Sequence, residues 1–228
     1  MEQNNEFIAE RRGKIGTACS LTFNCLERYC KAVNAFRKKE NEINASDAYN
    51  QRYKEVLILQ EAEKLRTAAY SEHSAIMSQL GVIEEAARDM EEYLDLGPGE
   101  LQGSLMVVQT VGDRLPIQSR STILEKFRGQ HQSLLLLKEA FEKADMSSTS
   151  FEGLLFSVES RMDELEDLAD HLIMQEGSDL LRVSRFARRL EAFATDMGVT
   201  LSADWRAFDG LQDAFLKELA NVTGLVDE

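Results

Sequence analysis

The chain has 228 residues, 43% of them hydrophobic, and its 40 Asp and Glu outnumber 26 Lys and Arg for a net charge of −14. Such a chain is long enough to bury a substantial core, too apolar to be disordered throughout, and acidic enough to repel phosphate backbones, which makes nucleic acid an unlikely partner. The start MEQNNEFIAE lacks the apolar stretch of a signal peptide, and no run approaches ~18 apolar residues, so neither a leader nor a membrane helix is expected and the cytoplasm is the expected compartment.

Only two prolines, Pro98 and Pro116, interrupt the chain. Long helices are therefore permitted. In the first segment Ile8, Ile15, Cys19, Thr22, Leu26, Tyr29, Val33 and Phe36 recur in steps of three, four and seven. That is one face of an amphipathic helix, with its firm part from Thr17 to Lys39 because Gly13 and Gly16 weaken the start. Residues 1–39 carry eight basic and four acidic side chains, which leaves −18 on the remainder. Attraction between the two parts follows from that imbalance.

Ser46 or Asp47 is placed to cap a second helix that runs to Leu96. Its seam passes through Ile58, Ala62, Leu65, Ala69, Ile76, Ile83, Ala86, Met90 and Tyr93, a heptad-like spacing interrupted by Glu72 and Gln79. A helix of that length, about 70 Å at ~1.5 Å per residue, predicts a coiled-coil-like arm or a bend at Gly81. Leu96-Gly97-Pro98-Gly99 is the strongest punctuation and predicts a boundary between residues 1–96 and 97–228. Beyond it, residues 101–111 read as helix or strand; helix is preferred because a lone strand has nothing to pair with.

Capping-box patterns at Thr122 with Glu125 and at Thr149 with Glu152 predict two helix starts, the first helix ending near Ala144 and the second at Gly177. Ser178 predicts a further helix that stops at Gly198, and Ser202 a last one reaching Val222. The expected fold is all-α: a long N-terminal helical hairpin or arm, then a bundle of four or five shorter antiparallel helices.

Glu159, Asp163, Glu166 and Asp170 line one helical face. Solvation is its plainest reading, although an antiparallel neighbour would set Arg182, Arg185, Arg188 and Arg189 against it. A carboxylate-bridged metal pair needs Glu-x-x-His, and neither His73, His131 nor His171 has Glu three residues earlier. Asp167 with His171 supplies two ligands, too few for a firm site. Glu84-Glu85 has Arg88 where helical pyrophosphatases place a third glutamate, and Gly13-Lys14-Ile15-Gly16-Thr17 lacks the phosphate-loop order. Cys19, Cys25 and Cys30 read as small core residues, and Trp205 with Phe208, Leu211, Phe215 and Leu219 as core or helix-docking surface. The basic start, Arg11, Arg12 and Lys14 with Arg37, Lys38 and Lys39, has no nucleic-acid motif beside it.

No catalytic residue, metal site or cofactor emerges. The functional expectation is a non-enzymatic structural or protein-interaction module that self-associates, its surface being the Ile58, Leu65, Ala69, Ile76, Ile83, Met90 stripe. That stripe is judged too extensive for its own chain to hide. The long second helix and small bundle suit a subunit of a phage or bacterial assembly. Two alternatives are an acidic inhibitor or antidote that fills a basic groove as a nucleic-acid mimic, and, less well supported, a helical metal-dependent hydrolase.

Overall fold

The structure, a computed structural model, describes residues 2–94, 99–172, 180–202, 204–208 and 211, with side chains from Glu6 onward. Its α-helices are α1 (Glu2–Ala45), α2 (Gln51–Glu92), α3 (Glu100–Val111), α4 (Ile117–Lys126), α5 (His131–Lys143), α6 (Val158–Asp170) and α7 (Leu180–Asp196). Short 3-10 turns cover Gly112–Arg114, Thr149–Phe151 and Trp205–Ala207, and no strand occurs among the described residues. The all-α fold, two long helices followed by shorter ones, is the one the periodicity predicts. Residues 101–111 are helical.

Several boundaries differ from the sequence reading. Helix α1 starts well before Thr17 and runs through Gly13 and Gly16. A Cβ on Gly16 would stand 3.3 Å from Val199, so tertiary packing, not local propensity, favours glycine there. The α2 start is capped not by Ser46 or Asp47 but by Asn50, whose Oδ1 accepts from the Tyr53 amide at 2.9 Å. Gly81 lies inside α2 without ending the helix. Thr122 opens no helix: it sits within α4, its hydroxyl donating to Gln118 O at 2.8 Å. Pro116 precedes the first residue of α4 instead, and Arg120 reaches back to Leu115 O and Asp113 O to hold that turn. Likewise Thr149 begins only a short 3-10 turn; α6 starts after Ser157, with Val158 N donating to Glu91 Oε1 at 3.4 Å. Gly198, at φ +75°, ends α7 as predicted. The predicted features at Leu96–Pro98, Gly177, Ser178 and Phe215 to Val222 lie outside the described residues.

Two compact units emerge, each assembled from segments far apart in the chain. The first combines Met1–Cys19, Gly81–Asp163 and Glu191–Leu201; the second combines Ser20–Leu80, Glu164–Leu190 and Ser202–Glu228. In the first unit α1 and α2 pack antiparallel, Phe7 stacking on Tyr93 at 4.8 Å and Arg11 pairing with Asp89 at 2.6 Å. Its apolar centre gathers Leu101, Val108, Leu124, Leu134, Leu137 and Phe141, with Phe141 edge-on to Phe151 at 5.2 Å.

Arg12 clamps this unit. Its guanidinium donates to Met197 O at 3.1 Å and to Arg128 O at 2.9 Å, satisfying carbonyls at the ends of two different segments. Burial pushes its pKa downward. The close approach explains Gly198, where a Cβ would meet Arg12 Nη2 at 2.8 Å. At Gly129, φ +76°, a Cβ would meet the terminal methyls of Met90 and Met197 at 3.0 Å.

The second unit repeats the antiparallel sense. Arg28 pairs with Glu72 at 2.7 Å, and Lys54 Nζ donates to Asn44 O at 2.7 Å. Tyr29 Oη donates to Leu172 O at 3.1 Å. In the same unit α6 and α7 run antiparallel, since Glu164 meets Arg189 while His171 O accepts from Arg182. Phe23, Leu26, Ile76, Leu80, Phe186, Leu190 and Trp205 are all buried here.

Candidate functional site

The stripe expected to form an association surface is only partly outside. Ala69, Ile76, Ile83 and Met90 are enclosed by the chain itself, at 8%, 1%, 0% and 0% exposure. Ile58 and Leu65 are half-buried. The premise that the chain cannot hide this seam therefore does not hold for the Ala69 to Met90 half. The reason is tertiary: within each unit α1 packs against α2, at Arg11–Asp89 in the first and Arg28–Glu72 in the second, and Met90 additionally abuts the Gly129 turn.

The acidic face separates into different environments. Asp170 Oδ1 lies 2.8 Å from His73 Nε2, within hydrogen-bond distance, while Glu166 is half-buried and Glu159 and Asp163 are exposed. The arginine helix meets α6 at Glu164, outside the predicted stripe, where Arg189 Nε lies 2.9 Å from Oε1. Arg182 donates to a backbone carbonyl, and Arg185 is exposed. Asp167 and His171 interact locally within one helical turn. Among the described residues no three His, Cys, Asp or Glu side chains converge as a metal site requires. Nor is any helix among them long and apolar enough to cross a membrane.

All three cysteines are buried. Burial raises the Cys19 thiol to about 12 and also raises Cys25, where the raising outweighs the lowering by Arg28. Thiols so placed are poor nucleophiles at neutral pH. Arg88 pairs with Glu84, and Thr17 bonds to Gly13 O, so the two weak motifs at those positions serve helix geometry.

The surface feature that the sequence reading missed lies on α3 and α4, inside the first unit. Met106, Val107 and Val111 on α3 are 60%, 41% and 37% exposed, and Ile117 at the start of α4 is 75% exposed. Beside them runs an open groove of about 620 Å³, walled by Gly103, Ser104 and Val107 on one side and by Leu115, Ser119 and Ile123 on the other. Glu100 and Lys126 sit at the groove 3.7 Å apart, so its charges cancel locally. A signal was legible. Glu100 is the sole charged residue in the twelve of α3, and Met106, Val107 and Val111 stand on its exposed side among Gln102, Gln109 and Thr110. Val107 is both exposed and part of the groove wall, and grouped apolar exposure marks binding surfaces more often than single exposed residues do.

A second exposed apolar group, Tyr49, Tyr53, Val56 and Leu59, lies at the start of α2, with the two tyrosine rings 5.2 Å apart.

Comparison with protein-family models, curated proteins and solved structures returned no match for this chain. Fold and site together define an all-α helical protein with an open groove beside α3 and α4 and no metal-ligating cluster among the described residues.

Proposed function

We propose that this chain is a non-enzymatic protein-interaction module that docks other helices, as a structural subunit of a larger assembly. The observation that carries this reading is the α3–α4 face, where Met106, Val107, Val111 and Ile117 are left to solvent beside a groove. Helix-in-groove recognition uses such a surface: an amphipathic helix lays its apolar side into a hollow lined by small and branched side chains. The test compares the tagged wild-type chain with Met106→Glu and Ile117→Glu in cross-linked extract of the source cell. A bound protein is identified by mass spectrometry and its complex rebuilt from purified components. Loss of the rebuilt complex in the variants is expected. Equal binding by wild type and variants, or no bound protein, overturns the reading.

A second reading, an acidic antidote that fills a basic groove on its target, draws support from exposed Glu159 and Asp163 and from the −18 carried after residue 39. It predicts binding that weakens steeply with salt, whereas apolar docking persists.

A further inference from the structure

We draw no further inference here: the strongest candidate, the exposed apolar face that Tyr49, Tyr53, Val56 and Leu59 form at the start of α2, carries nothing because nothing in the structure shows what covers it.

Discussion

Arg12 shows how much of this structure hangs on single side chains that no motif announces. It carries one charge into a partly buried position and spends its donors on two carbonyls far away in sequence, Arg128 O and Met197 O. Replacing it with alanine leaves those acceptors unpaired and removes the stem that fills the space. Arg12→Ala is expected to lower the unfolding free energy by about 3 kcal/mol in urea titrations, and lysine, with its compact ammonium, to restore only part of that. A loss below ~1 kcal/mol would show the clamp to be dispensable. The cysteines give a chemical readout of the same interior. With Cys19 pushed up to about 12 and all three thiols enclosed, an aromatic disulfide reagent at pH 8 is expected to label none of them in the native chain and all of them after unfolding. Fast labelling of any one in the folded state would contradict the enclosed arrangement.

Asp196 supplies a pH test. Burial raises its pKa and outweighs the lowering by Arg161 and Arg128, at 3.7 and 3.8 Å. A carboxyl whose folded pKa is raised favours the fold while protonated. Its contribution is complete below the unfolded value and is lost as pH rises through the folded value. The stability of Asp196→Asn relative to wild type should therefore grow as pH climbs from about 3 to 6. Parallel curves for the two proteins would argue that the carboxyl is not penalised.

At the scale of the element, helix interiors were legible and helix ends were not. Periodic apolar residues identify the body of α1, α2 and α7, because a buried face must recur every 3.6 residues whatever covers it. Ends depend on what the capping side chain meets in space. The Thr122–Glu125 match has the right letters, yet the Thr122 hydroxyl is already bonded within α4, and Pro116 and Gly129 set that helix's limits. Asn50 caps α2 although Ser46 and Asp47 precede it. Asn50→Ala should cost about 1 kcal/mol, read as a lowered melting temperature. Within α2, the buried and exposed sides should respond oppositely. Ile83→Ala is expected to cost about 3 kcal/mol, whereas Val56→Ala, at a position 45% exposed, should stay within ~0.5 kcal/mol. Similar costs at the two positions would mean that α2 is covered on both sides.

For the whole molecule, the net charge of −14 governs behaviour that no single contact explains. The isoelectric point of about 4.8 predicts a solubility minimum near that pH, where mutual repulsion vanishes. Light scattering across pH 4 to 8 checks this; a chain equally soluble throughout would show that the surface charge is not what keeps copies apart.

The sequence by itself determined the helical class, the two long helices, the interior positions of α7 and the stop at Gly198, because periodicity and backbone permissiveness are properties of neighbouring residues. It also held the apolar composition of α3. Only the tertiary structure decided that the Ala69 to Met90 seam is hidden while Met106, Val107 and Ile117 are not, and that Arg189 meets Glu164 and His73 meets Asp170. Exposure is a property of pairs of elements distant in the chain. An apolar stripe specifies that something covers it, and packing alone selects the cover.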